Sequence, residues 1–127
     1  MGLDTSHDCW HGPYSAFMRW RTRLCDLAGY GNYLDYFTPE ERAHRDKDPR
    51  PAKPIPNDDP LWALLAHSDC DGEIAPELCG PLADRLQELV DTKMPARATY
   101  DDIRPATERF IKGLREAAAV GEAVEFG

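Results

Sequence analysis

The chain has 127 residues, of which 42% are hydrophobic and 30% charged, and its formal net charge is −8. This length fits a single domain with one core, whereas the excess of acidic residues argues against general nucleic-acid binding, which needs a basic surface. No apolar run approaches the roughly 20 residues that span a bilayer, which argues against a membrane protein. The start at Met1 lacks the basic and apolar segments of a signal peptide, so we expect a cytoplasmic protein whose four cysteines stay reduced.

The first predicted helix covers residues 13–28. Apolar residues recur there at helical spacing, and Gly29 follows as a left-handed stop. The apolar positions are Phe17, Trp20, Leu24, Leu27 and Ala28. The other side of this helix carries Arg19, Arg21 and Arg23. The preceding residues, 3–9, permit a short strand.

Aromatic residues dominate the next segment, 29–37, which we expect to fold back on the core. Residues 38–41 read Thr-Pro-Glu-Glu and match a capping box, which predicts a short helix to about His44. Residues 45–60 contain five prolines and almost no apolar side chains, so they are predicted to form an extended surface loop. A short apolar helix over residues 61–66 follows and ends at His67.

Two longer helices complete the helical part of the prediction. Gly80-Pro81 begins the first of them, which continues to Val90 with its leucines on one face. The second starts at a cap on Asp101 or Asp102 and ends at Gly121.

The closing residues, 123–126, alternate like a short strand, which we expect to pair with the N-terminal segment. The predicted fold is therefore mainly α, with four to five helices and a minor β element. It forms a single compact α+β domain over residues 1–127, with a proline-rich surface loop at residues 45–60.

Two polar stretches contain most of the residues that can perform chemistry. The first reads Ser6-His7-Asp8-Cys9-Trp10-His11-Gly12-Pro13-Tyr14, and the second reads His67-Ser68-Asp69-Cys70-Asp71-Gly72-Glu73. Together they hold three of the four histidines and two of the four cysteines. We predict that the two stretches come together on one concave surface and form the functional site.

A zinc site is one hypothesis for this pairing, because histidine, cysteine and carboxylate groups are the ligands that zinc prefers. The candidate ligands are His7, Cys9, His11, His67, Asp69, Cys70, Asp71 and Cys79. Their spacing does not match a zinc ribbon or finger. The alternative is that the histidines form hydrogen bonds and the cysteines pack as small hydrophobic residues. Asp69-x-Asp71-Gly72 also matches part of a calcium-binding loop, although a tight acidic turn explains this pattern better.

Catalysis by a thiolate would need a cysteine beside a histidine base, such as Cys70 with His7 or His67. The pattern singles out no unique nucleophile. The chain also lacks a Gly-rich phosphate loop, a G-x-S-x-G turn and an H-E-x-x-H helix. The sequence therefore names no catalytic residue and favours a protein without enzymatic activity.

Recognition of an anionic ligand is the hypothesis that the residues favour. Arg19 and Arg23 lie one helical turn apart, and guanidinium groups are suited to binding phosphate. Trp10 and Tyr14 supply rings on which a base can stack. A helix that begins near Pro13 adds exposed backbone N–H groups. The residues expected to shape this pocket are His7, His11, His67 and Asp69. The alternative is that Trp20 belongs to the core while the arginines form a solvated face paired with acids.

Three segments of the chain resemble those of a known group of proteins. They are Gly2-Leu3-Asp4-Thr5-Ser6-His7-Asp8-Cys9-Trp10-His11-Gly12, His67-Ser68-Asp69-Cys70-Asp71-Gly72-Glu73-Ile74, and the ending from Phe110-Ile111-x-Gly113-Leu114-Arg115 to Glu122-x-Val124-Glu125-Phe126. They look like segments of short proteins from tailed phages and actinobacterial prophages. The resemblance implies a phage accessory protein, and small phage proteins often counter host defence, some by sequestering cyclic nucleotide signals.

Three functions follow from these observations. The first is a non-catalytic phage-type accessory protein that binds an anionic, nucleotide-like small ligand and so counters host defence signalling. The second is a structural or hydrolytic protein that contains zinc. The third is an inhibitor that binds a host protein through the tyrosine-rich residues 30–37. A homo-oligomer is compatible with each of them.

Overall fold

The fold is known from a computed structural model, which describes residues 2–37, 51–56, 58–68, 71–94 and 103–127. These parts of the chain contain four α-helices, which are α1 (Tyr14–Leu27), α2 (Trp62–Leu65), α3 (Pro76–Lys93) and α4 (Arg104–Val120). They also contain four short strands, which are β1 (Gly2–Asp4), β2 (His11–Pro13), β3 (Glu73–Ile74) and β4 (Val124–Glu125). The prediction of a mainly α fold with a minor β element is confirmed.

Helix α1 follows Pro13 directly and ends at Leu27, so its predicted limits of 13 and 28 are right to within one residue. Gly29 has a φ of +91°, the left-handed conformation that stops a helix. One residue contradicts the prediction. Arg21 is not on the charged face but is buried, with 4% of its surface exposed, because it lies one turn after Phe17 on the inward side of the helix.

Residues 29–37 fold back on the core, as predicted. Tyr33 is buried, and the ring of Tyr36 lies 4.6 Å from that of Trp62 in α2. Tyr30 meets the same tryptophan edge-on, with 5.4 Å between the ring centroids. Trp62 is thus enclosed by the aromatic segment, and α2 is fixed beside α1.

Helix α3 begins at Pro76, so its predicted start at Gly80-Pro81 is wrong. Proline suits the first turn of a helix, where a backbone N–H has no helical acceptor, and Pro76 meets that condition. Pro81 lies inside the helix and removes the hydrogen bond that an N–H at this position would donate. The apolar face of α3 packs along α4 and buries Leu82, Ala83, Leu86, Leu89 and Val90.

Helix α4 ends at Gly121, whose φ of +68° provides the predicted left-handed cap. Gly113 lies within α4 and is buried. A Cβ atom at this position would overlap the Sγ atom of Cys9 and the carbonyl oxygen of His7. The absence of a side chain therefore lets the N-terminal turn lie directly on α4.

The short strands form two antiparallel pairs. β1 pairs with β2, which places Leu3 opposite Gly12. β3 pairs with β4, which places Ile74 opposite Val124. The sequence does not predict β2, because Gly12-Pro13 indicates an interruption of the chain before the helix.

The expected pairing of the C-terminal strand with the N-terminal segment is mostly wrong. β4 has β3 as its partner strand, and it meets the N-terminal segment through a bridge between Thr5 and Phe126 and a hydrogen bond from the Glu125 N–H to Ser6 Oγ. The predicted strand over residues 3–9 is also too long. After β1 the chain turns through a short 3-10 helix at Ser6–Asp8, so it leaves the extended conformation that a longer strand needs.

Several predicted features lie outside the described residues, namely the capping box at 38–41, the helix to about His44, the caps at Asp101 and Asp102, and part of the loop at 45–60. Residues 51–56 of that loop contain no helix or strand. The Lys53 N–H donates to the carbonyl oxygen of Asp35 at 2.9 Å, which fastens the loop to the aromatic segment. None of the described helices combines the length and apolar character needed to cross a bilayer.

Candidate functional site

Trp10 lies in the core, with 9% of its surface exposed. Its ring stacks on Trp20 with 5.0 Å between centroids and meets Phe17 edge-on at 5.1 Å. Its indole N–H is buried and has no hydrogen-bond partner among the described residues. Trp10 therefore packs the N-terminal segment on α1, and its ring offers little area for stacking on a ligand.

Arg19 and Arg23, which the sequence assigns to the ligand site, are exposed on α1, and Tyr14 is half-buried. The ring of Trp10 is covered by its neighbours in the core. An exposed cation and a covered ring cannot hold one ligand together unless side chains move. The joint role of these residues in binding stays a prediction.

Both histidines of the N-terminal stretch face carboxylates. The ring of His7 lies between the Ser6 hydroxyl and the Glu122 carboxylate, 2.8 and 3.0 Å away. His11 is exposed and contacts Asp4 across the first strand pair. Neither ring is directed at a third ligand-type side chain among the described residues.

His67 contacts the backbone of the second polar stretch on both sides of its undescribed residues. Its Nδ1 atom lies 2.8 Å from the carbonyl oxygen of Ser68, and its Nε2 atom lies 3.0 Å from that of Glu73. Its ring packs on Phe126, with 4.2 Å between centroids. Asp69, which was expected to shape the pocket beside it, lies outside the described residues.

The two polar stretches are connected through the ring of Phe126. This ring lies 4.2 Å from that of His67 and 6.0 Å from that of Phe17. Phe17 in turn contacts Trp10 at 5.1 Å. Two packed phenylalanines therefore link Trp10 to His67, so the path between these residues is filled by side chains and is not an open cavity.

The described cysteines are buried thiols. Burial raises the pKa of Cys9 to about 12 and that of Cys25 to about 11, and it also raises the pKa of Cys79. Such thiols are protonated at neutral pH, so none of the three is a thiolate nucleophile. Cys70, the cysteine of the hypothetical Cys/His pair, lies outside the described residues.

The zinc hypothesis is not supported. Within the described part of the chain, no group of three or more His, Cys, Asp or Glu side chains is arranged to hold a metal ion. Cys9 is packed against α4, and His7 and His11 each face a carboxylate. Asp71 is exposed. The candidates that the structure does not describe are Asp69 and Cys70.

A pocket that the sequence did not predict lies between α1, α2 and the aromatic segment. Its volume is about 310 Å³. Its main lining residues are Arg21, Tyr33, Tyr36, Phe37, Trp62 and His67. Arg21 lies one helical turn after the apolar Phe17, and this spacing indicates that it faces the core. Buried arginines are uncommon, so its charge instead favours a prediction that it is exposed.

Arg21 is held at this pocket by rings and carbonyl oxygens. Its guanidinium carbon lies 4.5 Å from the ring centroid of Phe17 and 5.7 Å from that of Tyr33. Its Nη1 donates to the carbonyl oxygens of His67 at 2.6 Å and Leu64 at 3.4 Å. Carbonyl groups at the end of a helix lack helical donors and attract a cation. Arg21 therefore fixes the end of α2 and gives the pocket a permanent positive charge.

The aromatic walls of the pocket support one another. The rings of Tyr33 and Phe37 lie 4.8 Å apart, and the Tyr33 hydroxyl donates to the carbonyl oxygen of Leu65 in α2. Tyr36 and Phe37 are half-buried, so part of each ring remains accessible. The proposed binding of a host protein through residues 30–37 stays a prediction, although most of these rings pack inward.

A polar network braces the loop before α2. Asp59 accepts hydrogen bonds from the Tyr30 hydroxyl and, at 3.1 Å, from Arg85 Nε in α3. It also accepts one from the Leu61 N–H at 2.9 Å. Burial raises the pKa of the Asp59 carboxyl, but these hydrogen bonds outweigh burial and hold the pKa below its usual value. The network ties the loop to α3 and so positions Trp62 at the pocket wall.

Comparison of the chain with protein-family models, curated proteins and solved structures gives no significant match. The resemblance to phage proteins therefore stays a prediction. The geometry of the pocket beside Arg21 is therefore the basis for assigning a function.

Proposed function

We propose that the chain is a binding protein for a small anionic, nucleotide-like ligand, and that the ligand occupies the pocket beside Arg21. The observation that carries the proposal is a buried guanidinium group enclosed by aromatic rings. The pocket binds its ligand without chemistry. This proposal keeps the ligand class expected from the sequence and moves the site from the exposed face of α1, at Arg19 and Arg23, to its buried face.

The charge of the chain supports a local cation as the anchor. A net charge of −8 repels anions at long range, so an anion needs a nearby positive group to bind. Arg21 is that group at the pocket. Its attraction for an anion is stronger than that of an exposed arginine, because the effective dielectric constant is lower in a partly enclosed site.

The size and walls of the pocket support a single nucleotide. A volume of about 310 Å³ lies at the lower end of the roughly 300–1,000 Å³ that is usual for small-molecule sites. This space suits a mononucleotide and is too small for a cyclic dinucleotide, which carries two bases. Tyr36, Phe37 and Trp62 supply ring faces of the kind on which bases stack.

The phage resemblance supplies the biological part of the proposal. A phage accessory protein that binds a cyclic mononucleotide in the cytoplasm lowers the free concentration of a signal on which host defence depends. This part rests on the resemblance and not on the pocket.

Thermal denaturation and calorimetry test the binding. The probes are adenosine and guanosine monophosphates, their cyclic monophosphates, cyclic dinucleotides and inorganic phosphate. We expect a mononucleotide to raise the Tm by about 10 °C at a concentration about 100-fold above its Kd. Cyclic dinucleotides should have no such effect. The absence of binding by every phosphate compound would contradict the proposal.

Three variants locate the site. Ala66→Glu adds bulk and negative charge at the pocket, because Ala66 is exposed and lines it, and it should weaken binding about ten-fold or more. Ala118→Glu is the matched control, because Ala118 is exposed on α4. The double change Arg19→Ala plus Arg23→Ala should leave binding intact. Loss of binding in the double variant, with Ala66→Glu unaffected, would return the site to the exposed face of α1.

A further inference from the structure

Ser6, His7 and Glu122 form a continuous hydrogen-bond chain. The Oγ atom of Ser6 lies 2.8 Å from Nδ1 of His7, and Nε2 of His7 lies 3.0 Å from Oε1 of Glu122. Both distances lie within the range over which a hydroxyl nucleophile, an imidazole base and an orienting carboxylate act together. The order of the three groups is that of a nucleophile, a base and a residue that positions the base.

The hydrogen-bond partners determine which atom donates and which accepts in each of these two hydrogen bonds. A carboxylate only accepts hydrogen bonds, so Glu122 favours the imidazole tautomer that carries its proton on Nε2. Nδ1 of His7 is then the acceptor, and the Ser6 hydroxyl is its donor. The backbone N–H of Glu125 donates to Ser6 Oγ at 2.8 Å, which occupies one lone pair and leaves the hydroxyl proton directed at His7.

The backbone at His7 and Asp8 adopts an uncommon conformation. His7 has φ +59° and ψ +18°, and Asp8 has φ +57°. Two successive non-glycine residues in the left-handed region are strained and persist only where surrounding contacts maintain them. Helix α4 provides those contacts, since Arg109 donates to the carbonyl oxygen of Asp8 at 3.0 Å and Gly113 leaves room for the His7 carbonyl. Strain that is maintained in this way is common at functional sites.

A substrate can reach His7 from an adjacent groove. The groove runs beside α4, has a volume of about 410 Å³ and is lined by His7, Asp8, Arg109, Lys112 and Glu116. The His7 side chain is 18% exposed, and Ser6, which precedes it at the edge of this groove, is half-buried, so neither the base nor the nucleophile is sealed in the core. This volume accommodates a small organic substrate.

We propose that Ser6 is a nucleophile that hydrolyses small carboxylic esters, with His7 as its general base and Glu122 as the positioning residue. The sequence contained no signal for this site, because adjacent serine and histidine residues match no known hydrolase pattern. The activity is independent of the pocket beside Arg21 and shares no residue with it.

The reaction balances without any group from outside the protein except the ester and water. Ser6 Oγ forms a bond to the carbonyl carbon of the ester while its proton moves to Nδ1 of His7. The bond from that carbon to the alkoxy oxygen breaks, and His7 returns the proton to the departing alcohol. Water then attacks the acyl-Ser6, His7 accepts its proton and gives it to Ser6, and the carboxylic acid leaves.

A fluorophosphonate probe tests the nucleophile directly. Phosphonylation of Ser6 displaces fluoride and adds one defined mass, which intact mass spectrometry and peptide mapping locate. We also expect p-nitrophenyl acetate to give an initial burst of about one equivalent of p-nitrophenol per chain, the mark of an accumulating acyl-enzyme. Ser6→Ala should abolish the adduct and the burst. Ser15→Ala, a change at an exposed serine in α1, should leave both intact.

Two further variants separate chemistry from folding, which circular dichroism checks in each case. His7→Gln should slow labelling about 100-fold. Glu122→Gln should lower kcat about ten-fold with KM unchanged, and Glu122→Asp should restore part of it. Glu122 is 63% exposed, so neither change threatens the fold. Labelling at a residue other than Ser6, or equal burst size in wild type and Ser6→Ala, would overturn the proposal, as would a Glu122→Gln variant with wild-type kcat.

Discussion

Gly113 of α4 lies so close to Cys9 that no side chain fits between them. Cys9 follows the short N-terminal 3-10 helix, and Gly113 lies in the middle of α4. The N-terminal turn can dock on α4 here because the helix lacks a Cβ atom at this position.

Replacement of Gly113 should therefore destabilise the fold. We expect Gly113→Ala to lower the free energy of unfolding by about 1–3 kcal/mol, because overlap with Cys9 and His7 outweighs the gain of about 1 kcal/mol in helix propensity. Urea denaturation followed by circular dichroism measures the change. Gly80→Ala in α3 is the control, because a Cβ atom there meets nothing within 4 Å. Its gain in helix propensity should be largely offset, because the Pro81 ring disfavours helical backbone for a preceding residue that carries a Cβ atom, so we expect a change of less than about 1 kcal/mol. A Gly113→Ala effect no larger than that of Gly80→Ala would contradict the contact.

Arg21 should contribute to stability as well as to the pocket. Arg21→Leu leaves the carbonyl oxygens of Leu64 and His67 without this donor, so we expect a loss of about 2–3 kcal/mol in urea denaturation. Arg23→Leu changes an exposed residue of the same helix and should shift stability by less than about 0.5 kcal/mol. A similar effect of the two substitutions would show that the buried guanidinium does not hold α2.

The network around Asp59 should make stability depend on acid. The pKa of this carboxyl is below its usual value of 3.8 in the folded state, so its contribution is fully present above pH 3.8 and is lost as the pH falls through the folded pKa. Asp59→Asn should cost about 1–3 kcal/mol at pH 7. It should also flatten the decline of stability between about pH 5 and pH 2.

Urea denaturation at several pH values measures both effects of the Asp59 substitution. Asp84→Asn removes the partner of Arg115, but the Asp84 side chain is 75% exposed, so at pH 7 it should cost less than about 0.5 kcal/mol. A parallel decline in the wild type and Asp59→Asn would mean that the hydrogen bonds to Asp59 do not persist in solution.

The buried thiols should be unreactive in the folded protein. In a Cys70→Ser background, Cys9, Cys25 and Cys79 remain, and burial raises the pKa of each. We expect a disulfide reagent at pH 8 to modify less than about one thiol per chain under native conditions. In guanidinium all three thiols that this variant retains should react. Rapid reaction of one thiol in the folded state would identify a reactive cysteine that the structure does not explain.

Local patterns in the sequence were sufficient to predict where α1, α2 and α4 lie. The spacing of apolar residues in α1 and the glycine at its end fixed that helix to within one residue. At α3 the choice between two prolines, Pro76 and Pro81, depended on which of them the tertiary fold places in the first turn. The pairing of β4 with β3 likewise depended on contacts between distant parts of the chain, which local patterns do not contain.

The candidate site was harder to predict, because residue types do not reveal burial. Arg19, Arg21 and Arg23 have the same side chain, but they project from different sides of α1. Arg21 is buried, whereas the other two are exposed. Trp10 is an aromatic ring that sequence alone cannot assign to a ligand or to packing, and the structure assigns it to packing. Ser6 carried no signal at all, since its relation to Glu122 depends on two chain ends that meet in space.

The position of β4 has a consequence for synthesis of the chain. Val124 completes a strand pair with Ile74, and Phe126 bridges to Thr5 near the other terminus. A growing chain on the ribosome can form α1 and α3 early, but the N-terminal turn cannot settle until residues 122–126 have left the exit tunnel. Before that step Phe17 lacks its neighbour Phe126, and the nascent chain exposes an apolar surface that a chaperone can bind.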